Sequence, residues 1–155
     1  MDKIHYSWRD VETAIDQLVI SIEKDEHGFD TILAIARGGL VPAAMLSHRL
    51  EIKEIKCVHA SYYKGTERKI ALHLLYPIPH LKETAQVLIV DDIVDTGITL
   101  WTVFNNVNNY RKSAVLVQKT NASIWPDYCP NVEVKWVVFP WEKNGLPLER
   151  KKHET

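Results

Sequence analysis

Two unbroken apolar runs, Thr-Ile-Leu-Ala-Ile-Ala at residues 31–36 and Val-Leu-Ile-Val at 87–90, constrain this chain more than any other feature. Neither alternates between apolar and polar residues. Each therefore predicts a strand covered on both faces, the habit of parallel sheets with helices packed above and below. Helical segments fit around them. From Trp8 to Lys24 the apolar residues Val11, Ala14, Ile15, Leu18, Val19 and Ile22 recur at spacings of three and four, the stripe of a helix that buries one face, with Gly28 closing it. Pro42 suits the first turn of a second helix that runs through Met45 and Leu46 to about Leu50.

Further along, Ile55–Ala60 predicts a second strand, and Ser61–Lys69 is polar and without helical period, so it is read as a mobile loop. Ile70–Leu75 is a possible strand ending before Pro77 and Pro79. After the run at 87–90, which Asp91 and Asp92 are expected to end, the pattern predicts a helix over about Thr99–Asn109. Strands follow at Ala114–Gln118 and Val132–Val138. Trp101 and Phe104 fit that helix's buried face. Strands alternating with helices give an α/β fold, a mainly parallel twisted sheet flanked by helices. One domain over residues 1–155 is expected, with a loosely packed tail after about residue 143.

Composition narrows the function classes. A formal net charge of −1 lacks the strongly basic balance that nucleic acid would favour. No apolar run approaches the length of a signal or membrane segment, so neither nucleic acid nor membrane is an expected partner. The 2 cysteines, Cys57 and Cys129, stand far apart and outside any CxxC pair; they suggest neither a disulfide framework nor a zinc site, and fit a reducing cytoplasm. The 7 histidines show no metal-ligand spacing.

The chemistry concentrates in residues 87–99, Val-Leu-Ile-Val-Asp-Asp-Ile-Val-Asp-Thr-Gly-Ile-Thr. Backbone N–H groups from Asp95 to Thr99, a helix start and two threonine hydroxyls can enclose a phosphate, and Gly97 supplies the turn. Carboxylates at a strand end, Asp91 and Asp92, can accept from vicinal ribose hydroxyls and hold magnesium, a hard ion that takes oxygen ligands. Turn-making and helix capping alone would account for Asp92 and Asp95, but not for the whole block. Arg37-Gly38-Gly39, at the end of the first strand, is a second plausible anion site, although a plain tight turn reads the same.

The 87–99 block resembles, over its whole length, the PRPP-binding motif of type I phosphoribosyltransferases, in which two acidic residues follow an apolar strand and Asp-Thr-Gly-x-Thr forms a phosphate loop. Ile98 fills the variable position. The order of elements is similar to that of small bacterial xanthine-guanine and hypoxanthine phosphoribosyltransferases over almost the whole chain. The resemblance implies a small C-terminal base-binding hood on the sheet. It implies binding of 5-phosphoribosyl-1-pyrophosphate (PRPP) by Arg37, Gly38, Arg68, Asp91, Asp92, Asp95, Thr96, Gly97, Ile98 and Thr99, with Asp95 catalytic. It further implies a flexible loop at Ser61 and Tyr62, a base site at Lys119, Trp136 and Val137, and magnesium held by Asp92 and Glu142. Glu142 is a departure, because related enzymes often carry Asp there. The implied reaction is transfer of the phosphoribosyl group to a 6-oxopurine by a homodimer or homotetramer. Taken singly, a strand-end lysine is usually just solvated and a tryptophan among valines is usually core. An enzyme for another base, a non-catalytic PRPP sensor and a metal-dependent phosphohydrolase using Asp91 and Asp92 remain open on the residues.

Overall fold

The computed structural model describes residues 3–64, 70–74 and 77–142. A short strand β1 (Lys3–His5) leads into helix α1 (Trp8–Glu23). The helix starts where the Ser7 side chain accepts from the Asp10 N–H and the Asp10 carboxylate accepts from the Ser7 N–H at 2.7 Å, a reciprocal cap. Its buried stripe is Val11, Ala14, Ile15, Leu18 and Ile22, as the spacing predicts. Strand β2 (Thr31–Ala36), helix α2 (Leu40–Arg49), strands β3 (Glu54–Lys64), β4 (Ile70–Leu74) and β5 (Gln86–Val94), helix α3 (Ile98–Asn105) and strands β6 (Tyr110–Lys119), β7 (Asn131–Glu133) and β8 (Trp136–Val138) follow.

Among the described residues the main sheet has 6 strands in the order β4-β3-β2-β5-β6-β7, parallel throughout except for the antiparallel β3–β4 pair. Apolar clusters lie on both faces. Ile15, Leu46, Leu88 and Leu116 fill the side of α1 and α2, while Leu33, Val87, Ile89, Leu100 and Val103 fill the side of α3. Burial on both faces is the reason the strands at 31–36 and 87–90 do not alternate. The chain leaves β2 through α2 to reach β3 on one side, whereas β5 lies on the other. Strand order reverses there, so a crevice opens beyond the carboxyl ends of β2 and β5. A second, 2-stranded parallel sheet pairs β1 with β8 and packs on the α1 side through Ile4, Val137 and Phe139. Among the described residues, no helix is long and apolar enough to cross a membrane.

Several expectations are corrected. Strand β5 does not stop at the carboxylates but runs to Val94, held by the register of Asp91 with Val115, Ile93 with Val117 and Val94 with Gln118. The predicted strand Val132–Val138 is two strands in different sheets: β7 continues the β6 ladder, and β8 turns away to pair with β1. Ser61 and Tyr62 lie within β3, not in a loop, because the backbone pairs with His73 and Leu72 across the hairpin. Tyr63 and Lys64 continue the same strand, and residues 65–69 of the supposed loop, Arg68 included, lie outside the described residues. Helix α3 ends at Asn105, where the Asn105 and Asn106 amides bond back to the carbonyls of Trp101 and Thr102. Trp101 is 55% exposed and does not belong to the buried face, which Leu100 and Val103 supply.

Candidate functional site

The site forms where β5 gives way to α3. Val94 is the last buried residue of the strand, and Asp95, Thr96 and Gly97 make a turn before the helix begins at Ile98. Gly97 has φ of 94°, in the left-handed region, and an added Cβ would lie 2.4 Å from Cβ of Ile124. Glycine is required twice over, by backbone conformation and by space. The turn is tied down from the neighbouring loop, since the Ser123 N–H donates to the Thr96 carbonyl at 3.1 Å. Within it, the Ile98 N–H points at the Thr96 hydroxyl oxygen at 3.4 Å. The N–H groups that open a helix, together with its dipole, make this a place for an anion.

This turn shares a cavity of about 180 Å³ with Asp91, Ile93 and Trp136. Asp91, Asp95, Thr96, Gly97 and Thr99 supply its polar wall, and Trp136, 39% exposed, stands in it as an aromatic surface. β8 therefore brings Trp136 across from the smaller sheet to the 95–97 turn. Ile93, Val94 and Leu100 complete the lining. Sequence reasoning did not pick out these three, nor Ile124 beneath Gly97; the only signal for Ile93 is its place between the carboxylates and the turn. A larger cavity of about 300 Å³ lies between α3 and residues 124–127, walled by Trp101 and Trp125, but none of residues 95–99 lines it.

The two adjacent carboxylates diverge. Asp91 is buried and lines the cavity, and its Oδ1 accepts from the Asp92 N–H at 2.9 Å. Asp92 instead lies against the Arg37-Gly38-Gly39 turn, so close that a Cβ on Gly38 would fall 2.3 Å from its carboxylate oxygen. Burial pushes both acids up. Asp91 is raised well above the ordinary carboxylate range, by burial first and then by the charge of Asp92. Asp92 rises to about 6, also by burial first, with the nearby Glu142 carboxylate adding to it. Glu142 is exposed and enters this electrostatic neighbourhood through the turn in which its N–H donates to the Phe139 carbonyl at 3.0 Å. Arg37 is exposed at the crevice mouth.

The remaining predicted base contacts are placed less directly. Lys119 is buried, and its ammonium donates to the Val134 carbonyl rather than lining the cavity with Trp136. The side chain of Val137 is wholly buried in the core, which leaves only its main chain for a ligand. Among the described residues, no group of three or more His, Cys, Asp or Glu side chains is placed to hold a metal.

The phosphoribosyl transferase domain family matches residues 4–145. The chain belongs to the phosphoribosyltransferase family. It is 31% identical to a xanthine-guanine phosphoribosyltransferase of Chromohalobacter salexigens, over 96% of this chain and 85% of that one. A second relative of the same description, from Idiomarina loihiensis, is 29% identical over 88% of this chain and 84% of its own. Among solved structures, a purine phosphoribosyltransferase from Pyrococcus horikoshii superposes with a TM-score of 0.83 at 35% identity, covering 94% of this chain and 98% of the other. The fold expected from the sequence, a mainly parallel sheet flanked by helices in the type I phosphoribosyltransferase manner, is thus the fold observed.

Proposed function

We propose that this phosphoribosyltransferase moves the 5-phosphoribosyl group of PRPP onto a 6-oxopurine, guanine, xanthine or hypoxanthine, giving the nucleoside monophosphate and pyrophosphate in a cytoplasmic salvage reaction. The observation that carries the reading is the single cavity in which a helix-start phosphate turn, Asp95–Thr99, faces the aromatic surface of Trp136. One end suits a sugar phosphate, and the other suits a planar base. The purine and xanthine-guanine descriptions of the relatives support the choice of base.

In this reading the turn N–H groups hold the 5-phosphate, Asp91 accepts from the ribose hydroxyls, and Arg37 with the Gly38 backbone holds the pyrophosphate. A purine ring nitrogen forms a bond to the anomeric carbon as the bond from that carbon to the pyrophosphate oxygen breaks, and pyrophosphate departs with the electron pair. Positive charge that develops on the ribose is stabilised by the neighbouring carboxylates. Asp95, in the cavity wall beside the turn, takes the imidazole proton. The ammonium of Lys119 has three donors, so it can keep its bond to the Val134 carbonyl and still donate to an oxygen at purine C6. It has no acceptor for the amino group of adenine.

The residues present fit magnesium. Two carboxylates held up by burial gain from a nearby cation, and magnesium is commonly bound by only one or two carboxylates together with substrate oxygens, which needs no larger protein cage. Asp92, with Glu142 in its field, would hold it, and the ion when bound supplies neutralisation of pyrophosphate charge. The test is a panel of adenine, guanine, xanthine and hypoxanthine incubated with PRPP and magnesium, following nucleotide and pyrophosphate. Use of the three oxopurines, with adenine poorer by tenfold or more, is the expected result. Adenine used equally well, or pyrophosphate released without any nucleotide, overturns the reading.

A further inference from the structure

Gln118 is 0% exposed, and neither its Nε2 nor its Oε1 has a hydrogen-bond partner among the described residues. Native chains seldom bury a side-chain amide with nothing to bond, because both halves of it lose water without recompense. Leucine or methionine would fill a similar volume with no such penalty. A glutamine here makes physical sense if its hydrogen bonds are completed in another state of the molecule.

Its position says which state. On β6, Gln118 is in register with Val94, the residue immediately before Asp95. The usual alternation of faces slips at the same level in both strands: Ile93 and Val117, a register pair, pack on the α1 side, while Val94 packs with Leu100 and Ala122 on the α3 side. Paired residues of a parallel ladder share a face, so the Gln118 side chain emerges with Val94 at the root of the phosphate turn. Directly after it, Lys119 opens the loop in which the Ala122 N–H donates to the Lys119 carbonyl, the Ser123 N–H donates to Thr96, and Ile124 abuts Gly97. Both segments that touch the turn leave the sheet beside Gln118.

We propose that Gln118 is a positioning residue for the phosphate turn: when residues 95–97 tighten around the 5-phosphate, their main chain pairs with the Gln118 amide and completes its hydrogen bonds. This rests on reading that turn as the PRPP phosphate site. The amide makes bonds only in the bound state, so it contributes to PRPP affinity through that difference. It touches neither the base nor the reacting carbon, so base recognition is left alone.

Two measurements test it. In Gln118→Met, the Tm of the free protein should equal or exceed that of wild type, the Kd for magnesium-PRPP should rise about tenfold, the scale of one hydrogen bond, and the KM for the base should be unchanged. In isotope-labelled wild type, the Gln118 side-chain amide protons should become protected from exchange on adding magnesium-PRPP and not on adding base alone. A folded Gln118→Met with PRPP affinity within twofold of wild type overturns the role, as does amide exchange indifferent to PRPP. The exchange measurement decides alone if the variant does not fold. Wild type that binds no PRPP would sink the functional reading and this role together, whereas normal wild-type binding with an indifferent Gln118 removes only the role.

Discussion

Gly38 and Asp92 occupy one another's space: the position a Cβ would take on Gly38 is 2.3 Å from the Asp92 carboxylate oxygen. The end of β2 and the middle of the acidic block thus meet in direct contact, and the absence of a side chain at residue 38 lets them do so. Gly38→Ala should displace Asp92 or the turn, because overpacking at a tight contact costs about 1–3 kcal/mol. The expected result is a fold that survives with magnesium-PRPP binding weakened tenfold or more by calorimetric titration. Binding equal to wild type would mean that the contact is incidental.

Burial of Asp91 and Asp92 also sets a pH dependence. The folded pKa of Asp92 is raised to about 6, so between about pH 4 and pH 6 the folded chain holds a proton that the unfolded chain has released. Stability of the free protein must then fall as pH rises through that interval, by at most about 1.4 kcal/mol per pH unit for one proton. Asp92→Asn removes that titration. Denaturant melts at pH 4.5, 5.5 and 6.5 should show wild type losing stability relative to the variant as pH increases; parallel curves would refute the assignment.

At the opposite end of the sheet, Asp25 follows the reverse rule. Its carboxylate accepts from the Lys112 ammonium, from the Tyr128 hydroxyl at 2.5 Å and from His27 at 2.8 Å, and these partners, Lys112 first, hold it below the ordinary carboxylate range. Stability from a lowered carboxylate is complete above the unfolded value near pH 4 and disappears as pH falls through the folded one. Asp25→Asn should therefore lower Tm at pH 7, and the gap from wild type should narrow only on acidification below about pH 4. A gap that is constant over the whole range would mean lost packing and not lost charge.

Asp95→Asn addresses catalysis. The phosphate turn is built mainly from backbone, so PRPP binding should survive, while loss of the proton acceptor should reduce kcat by about 10²-fold or more. A steady-state comparison that finds kcat unchanged would withdraw Asp95 as the base.

What the sequence disclosed and what it hid follow from range. Residues 87–99 carry strand, carboxylates, glycine and helix start in one local stretch, so the glycine turn between strand and helix could be read without a fold. The helix over 8–24 and the strand at 31–36 were equally local. Strand β1 was not legible, because three residues with charged neighbours show no period and exist as a strand only by pairing with Trp136–Val138. The split of 132–138 was hidden for the same reason: both pieces have strand composition, and only their partners differ. Trp101 was misassigned because α3 is apolar on nearly every side, which leaves periodicity nothing to distinguish. Gln118 looked like one more strand residue, since an orphaned amide is visible only once its surroundings are known.

The register of Lys3 with Trp136 joins the beginning of the chain to almost its far end. During synthesis, the 95–97 turn and most of the ladder beneath it leave the ribosome while β1 still waits for a neighbour that has not been made. The half that holds the glycine turn can thus organise early and from short-range contacts, whereas the wall that carries Trp136 must close the longest loop among the described residues and forms late.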